Sequence, residues 1–487
     1  MELQAIQGGV FLALTALIAG VTYWYCRGQR ASVTGEKEYF LAGGSLKWYF
    51  VAGSITLTNL STDQLVGMNG NQMALLAWWE LAAVVGLAML CFVFIPVYYK
   101  YNCTTTTELL EKRYNNPHIR AVISILFLLG NIFIFLPAIL YGGSLFMQSM
   151  FSIDVNLYII AAIFAVVGSA YAVFGGLRAV AVSDTFSGVL LLGLAVTVTL
   201  IALNEINWDF TGIPQERLTL IGSESSDIPW KTLFTGMIFI QMFYWSTNQT
   251  ITQRAMASPS VKEAQKGIMA AAAIRLLIVP PIIVLPGIVS YKLYGDIGDA
   301  AYGRIVGDLL PSFLSGAFAA AIAAAVLTTF NSILNASAAL WVCDIHETYI
   351  SKKPNVKRLS FWVSIVMVGL AFLMIPIFNN PEQSIINTVQ QLYGLLSMPI
   401  LSAFIVGLLF KNVEARAVIL AVIIGVGFYF FATCPMKPSQ NIDFHYIHLM
   451  AMTLFLAVGS ALVINYIVFR KKPIWDAHNV FGRDRTV

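Results

Sequence analysis

The sequence predicts an all-α integral membrane protein of about thirteen transmembrane helices. Three observations predict it. Of 487 residues, 58% are hydrophobic and 11% charged, with a mean hydropathy of +0.75, whereas a soluble domain carries roughly a quarter charged residues. Apolar runs such as 6–25, 74–99, 119–151 and 308–341 exceed the roughly 20 residues that cross a bilayer core. Positive charge also alternates sharply between successive loops, as it does in chains that cross a membrane repeatedly.

Hydropathy places the spans near 6–26, 49–72, 74–98, 119–150, 157–176, 179–204, 231–249, 264–294, 308–343, 357–380, 384–411, 415–433 and 447–470. The first run is too long for the apolar part of a secretory signal and lacks a small-residue cleavage site, so it is read as a span of the mature chain. Arg27, Arg30, Lys37 and Lys47 follow the first span, and Lys100, Lys112, Arg113 and Arg120 follow the third. Lys352, Lys353, Lys357 and Arg358 form another cluster, as do Arg470, Lys471 and Lys472. The opposite loops hold only Arg217, Lys231, Lys292, Arg304 and Lys437. This asymmetry predicts an external N-terminus and a cytoplasmic C-terminus in a multi-pass protein of the cell (inner, plasma) membrane. The net charge of +4 is thus a matter of topology, and nothing resembles a nucleic-acid patch.

No hydrophilic stretch is long enough for a separate domain; the longest, about 205–230, reads as an external loop, so 1–487 is one integral domain. Cys26, Cys91, Cys103, Cys343 and Cys434 are scattered without a CxxC pair, which implies neither a disulfide framework nor a thiolate metal site. The histidines lie mostly in loops or at span ends; His445 and His448 have metal-like spacing, and the ordinary reading of two histidines at the start of a span is preferred. No nucleophile, metal or nucleotide motif supports an enzyme.

The second span carries TNLSTDQLVG, residues 58–67, where most side chains can form hydrogen bonds. A similar polar interruption falls near 241–250. With the first span set aside, these are the first helices of two five-helix blocks, 49–204 and 231–411. Inverted repeats with broken helices mark transporters, because unwound backbone at membrane depth is tolerated only where it is buried in protein or lines a wet cavity. For Thr56, Thr58 and Ser61 individually the ordinary reading is a bond across helices. Asp63 and Gln64 are harder to dismiss, since an acid at the membrane centre costs roughly 2.5–3.5 kcal/mol on insertion scales. Other intramembrane polar residues are few: Glu80 beside Trp78 and Trp79, Asp184, Gln241, Arg275, Gln390 and Gln391. Amides, a carboxylate and a guanidinium with aromatics nearby suit a polyhydroxylated solute, whose hydroxyls each need a partner once stripped of water.

The strings YAVFGGLRAVAVSD (171–184), YWSTNQTITQR (244–254), EAQKG (263–267), VLPG (284–287) and SITLTNLSTDQ (54–64) together resemble the solute:sodium symporter family, nearest its sodium/glucose-type branch, from about Gly43 to Gly407. The resemblance implies a five-plus-five inverted-repeat symporter core with broken first and sixth core helices, working by alternating access with Na+ as coupling ion. It assigns solute binding to Gln64, Glu80, Gln241, Arg275 and Gln390. Tyr244 matches the inner gate, and Met68, Trp79 and Ile386 fall at the outer gates. Ala83, Gln241 and Arg275 depart from the family's serine, asparagine and lysine, which bears on the identity of the sugar. The implied sodium site comprises the hydroxyls of Thr328 and Thr329 and the carbonyls of Leu57, Leu60 and Ala325, with Asp184 on the sodium pathway. By composition alone, Thr328 and Thr329 read as bonding back to their own helix. The expected function is sodium-driven import of a sugar-like solute. A sodium-driven carrier of an anionic sugar acid and a non-concentrative sensor or leak stand as alternatives.

Overall fold

Leu60 and Ser61 interrupt the second apolar segment. The computed structural model, which describes residues 2–27, 35–352, 354–379, 384–433 and 444–476, ends helix α3 (Trp48–Asn59) there and begins α4 (Thr62–Gly70) immediately after. Leu60 leaves helical geometry at ψ 64° and Ser61 is extended. Lys353 lies outside the described residues, as does the side chain of Asp63.

Before this break come α1 (Glu2–Arg27) and the short α2 (Glu36–Phe40). After it follow α5 (Ala74–Lys100) and α6 (Pro117–Phe151). Next is α7 (Leu157–Glu205), which turns at Gly176, where φ is 57°. A side chain there would be strained and would approach Tyr39 O to 3.0 Å. The turn divides α7 where two spans, 157–176 and 179–204, are expected.

The second break separates α8 (Gly236–Ser246) from α9 (Gln249–Met256). Asn248 caps the new helix by accepting the Thr250 N–H at 3.0 Å. The chain continues as α10 (Val261–Tyr294), α11 (Ala301–Leu309), α12 (Ser312–Tyr349), α13 (Val356–Phe378), α14 (Ile385–Leu409), α15 (Ala415–Thr433) and α16 (Tyr446–Ile467). A two-residue antiparallel ribbon, β1 (Phe410–Lys411) with β2 (Ile474–Trp475), pins the segment after α16 to the end of α14.

Nine helical stretches among the described residues are long and apolar enough to cross a membrane. Length alone therefore does not reach the expected thirteen. The remainder fall on the broken pairs α3/α4 and α8/α9 and on the shorter apolar stretches Gly9–Tyr25 and Leu157–Gly168. Helix α3 packs between α7 and α10, α4 against α6 and α10, and α8 against α5 and α16. Both breaks are thereby held inside protein, which is where lipid permits them. Helix α12 is buried over most of its length, because its alanine-rich middle, residues 319–325, lets α1 and α7 approach closely.

Candidate functional site

Gln64 sits in the first turn of α4, Glu80 on α5, Gln241 on α8, Arg275 on α10 and Gln390 on α14. Four of the five line one small cavity between the two breaks, together with Met68, Trp79, Tyr244 and Ile386. Arg275 stands behind them. It donates to Glu80 Oε1 at 2.5 Å, to Gln64 Oε1 at 3.1 Å and to the Thr56 carbonyl at 2.8 Å, with its guanidinium 4.8 Å from the Trp245 ring centroid. Gln64 Nε2 donates to the same Glu80 oxygen at 2.5 Å. Both charged residues are 1% exposed. At that depth each charge persists because the other compensates it.

Gln241 is held from two sides, donating to the Trp79 carbonyl at 2.8 Å and accepting from Trp245 Nε1 at 2.9 Å. The ring of polar groups is largely closed on itself. The cavity encloses about 40 Å³, room for water but not for a larger solute. A solute can enter only when the walls part. Met68, Trp79 and Ile386 are buried and hydrophobic, and at Gly67 an added Cβ would approach the Ile386 backbone nitrogen to 3.1 Å. On the other side Tyr244 and Phe135 separate this cavity from a second one beneath it. Tyr244 Oη donates to Asn59 Oδ1, and Asn248 Nδ2 donates to Tyr393 Oη at 3.1 Å. Sequence reasoning missed Asn59, Asn248 and Tyr393; the available signal was that each asparagine directly adjoins a helix break.

The second cavity is lined by Thr58, Ser61 and Thr329. Thr328 Oγ1 donates to the Ala325 carbonyl at 3.2 Å, so it does bond back to its own helix. Thr329 Oγ1 is buried with no partner among the described residues. This cavity joins the Thr329 hydroxyl to the helix break flanked by Thr58 and Ser61, and unwound helix supplies carbonyl oxygens, so the donor set there fits sodium, a hard cation that takes oxygen ligands. Asp184, on α7, is fully buried and accepts from Ser54 Oγ at 2.6 Å and Thr58 Oγ1 at 3.1 Å. Arg254 lies 3.6 Å from it, itself fully buried, and donates to Ser54 Oγ at 2.7 Å. Arg254 was a missed partner. Its signal was a lone basic residue ending an otherwise polar, uncharged half-helix.

The family model described as the sodium:solute symporter family matches residues 39–425. The chain belongs to the sodium:solute symporter family. It is a sodium-coupled secondary transporter of the membrane, working by alternating access, with sodium as its coupling ion and a small molecule as its cargo. It is 34% identical to an uncharacterized symporter, YidK, of Escherichia coli strain K12, over 95% of this chain and 84% of that protein. It is 30% identical to a sodium/glucose cotransporter of Vibrio parahaemolyticus, over 87% of this chain and 84% of that one. A mouse sodium/myo-inositol cotransporter 2 is 26% identical over 88% of this chain and 72% of its own length. Among solved structures, a substrate-bound, outward-open Na+-coupled sialic acid symporter superposes with a TM-score of 0.79 over 94% of this chain and 97% of that one, at 17% identity. That likeness shows a shared symporter fold.

Proposed function

We propose that this symporter imports a neutral, polyhydroxylated solute, a sugar or cyclic polyol, across the plasma membrane with sodium. The observation that carries this reading is the contact of Arg275 with Glu80. Among the described residues these two supply the only formal charges at the upper cavity, and they cancel. A solute therefore meets amides and a neutralised ion pair among aromatic rings, the donor and acceptor set that hydroxyls require. An anionic sugar acid would have to displace Glu80 from Arg275, stranding a buried carboxylate. Glucose and myo-inositol, for which two of the relatives are named, are neutral polyhydroxylated solutes and agree with this reading.

In this reading Gln64, Glu80, Gln241 and Gln390 hold the solute while Arg275 orients Glu80 and Gln64 from behind. Met68, Trp79 and Ile386 close the outer side, and Tyr244 closes the inner side. Sodium is held by Thr328, Thr329 and the carbonyls of Leu57, Leu60 and Ala325, near Asp184. The blocks 49–204 and 231–411 are the inverted repeats. The positive-charge asymmetry supports an external N-terminus and a cytoplasmic C-terminus. The protein is a carrier rather than an enzyme, and concentrative uptake separates it from a sensor or leak.

The test is uptake by proteoliposomes under an imposed inward sodium gradient, with a panel of neutral and acidic sugars. Accumulation of a neutral sugar or polyol above equilibrium is expected. Accumulation confined to acidic sugars would transfer the reading to the acid carrier, and mere equilibration would favour a leak.

A further inference from the structure

Helix α12 presents hydrogen-bonding side chains on two faces. Thr329 and Ile333 line the cavity beneath Tyr244, on the solute's side. Thr328 and, three, four and seven residues beyond it, Asn331, Ser332 and Asn335 share a different face. They are 2%, 0%, 1% and 8% exposed. From Thr328 to Asn335 this face advances about 10 Å along the axis, toward the end that the proposed orientation makes cytoplasmic.

Asn331 is anomalous on this face: neither its amide nitrogen nor its oxygen has a partner among the described residues. A buried unpaired amide is costly and packs no better than leucine, so its presence calls for a polar visitor. Further along, Asn335 Oδ1 accepts from Gln253 Nε2 at 3.0 Å, and the same nitrogen donates to the Phe40 carbonyl at 2.6 Å. Gln253 is fully buried and its Oε1 is unpaired. Three residues beyond Gln253, Met256 lines an open cavity of about 370 Å³ with Leu41, which follows Phe40; Lys37 and Glu38 also line it.

We infer that this face of α12 is the route by which sodium leaves for the cytoplasm, from Thr328 past Asn331 and Asn335 into the open cavity, separate from the solute's exit past Tyr244. The inference rests on the proposed sodium site at Thr328 and Thr329. A dehydrated hard cation needs oxygen ligands at each step, and in chain order along this face come Asn331 Oδ1, unpaired, Ser332 Oγ, which donates to the Thr328 carbonyl at 2.7 Å and still has lone pairs to offer, and Asn335 Oδ1, with the unpaired Gln253 Oε1 on the residue that Asn335 bonds. None of these four is a carboxylate, so each would hold the ion weakly enough to release it, as conduction requires. Gln253 is the plug. Its amide nitrogen engages the Asn335 oxygen and ties α9 to the Phe40 backbone, and it must let go when the inner side opens.

Asn331→Leu and Asn335→Leu test the route in the full-length protein reconstituted in liposomes. Each should lower the turnover of sodium-driven uptake roughly tenfold, the scale of one lost polar contact in a dry site, while the sodium dependence of equilibrium solute binding stays within about twofold of the parent. Asn331→Leu exchanges an unpaired amide for an apolar side chain, so folding should not suffer. A packing role alone would leave turnover unchanged. Independently, in a chain freed of its native cysteines, Asn331→Cys and Asn335→Cys should react with a small cationic methanethiosulfonate applied from the cytoplasmic side. Ser337→Cys, on the face that bonds Asn131, should react about tenfold more slowly. Parental turnover in both leucine variants, with labelling at 331 and 335 no faster than at 337, overturns the route. Sodium-indifferent solute binding in the parent would instead overturn the sodium site itself, which keeps the two failures distinct.

Discussion

Arg275 Nη2 lies 2.5 Å from Glu80 Oε1, and both side chains are 1% exposed. The pair ties the middle of α10 to α5, and through Gln64 and the Thr56 carbonyl it grips both sides of the first helix break. Glu80→Gln should therefore do more than remove a solute contact, because it strands a buried guanidinium at a cost of about 3–5 kcal/mol. The thermal midpoint in detergent should fall markedly. The double variant Glu80→Gln with Arg275→Gln should recover much of that stability but not solute binding. Additive losses in the double variant would show that the two residues do not act as a unit.

Thr329 contributes a buried hydroxyl that has no partner among the described residues. Thr329→Ala should raise the sodium concentration needed for half-maximal solute binding by roughly 5- to 150-fold, the range of 1–3 kcal/mol for a lost ligand. Affinity at saturating sodium should recover in part. Thr329→Ser keeps the oxygen and should behave almost as the parent. The measurement is solute binding titrated with sodium at constant ionic strength, choline replacing sodium; an Ala variant with unshifted sodium dependence removes Thr329 from the site.

Orientation can be read by labelling. Asn379→Cys, in the linker that follows α13, should react with an impermeant thiol reagent added to intact cells, and Lys353→Cys should not. Equal reaction at both positions would refute the external N-terminus.

Asp299 should give closure over the end of α4, on the side that the proposed orientation makes external, a pH dependence. It sits on the helical turn Gly298–Ala300, accepts the Ile385 N–H at the start of α14 at 2.9 Å, and packs so tightly on the end of α4 that a Cβ at Gly70 would lie 2.7 Å from its Cα. Burial pushes its carboxyl up to about 7, with the Ile385 N–H partly offsetting this. The raised value belongs to the closed arrangement, and opening returns the group to water and toward the ordinary range near 4. Closure therefore binds the proton more tightly. Its proton-linked stabilisation is full below about pH 4 and is lost as pH rises through about 7. The outward-open population, followed by a fluorescent probe near Asn71, should grow with pH across that window. Asp299→Asn should flatten the profile and hold the outer side shut. Gly70→Ala, which prevents the close approach, should favour the open form at every pH.

The sequence by itself determined the solvent, the fold class and the places where the helices break. Hydropathy and charge spacing are local sums, and a run of Thr, Asn, Ser and Gln at membrane depth has few physical explanations other than unwound, buried backbone. The same economy made Gln64, Glu80, Gln241 and Arg275 visible, since polar groups are rare in lipid and therefore conspicuous. What those residues do to one another was settled only by tertiary structure. Nothing in the spacing of Glu80 and Arg275, which are 195 positions apart, says that they meet as a buried ion pair. Nor does the string TITQR reveal that Arg254 pairs with Asp184 on another helix. The burial of Asp299 likewise comes about only where α4 and α14 pack against its turn. In each case the effect depends on desolvation and on which opposite charge or free dipole comes within a few ångströms, and those are properties of packing between distant segments.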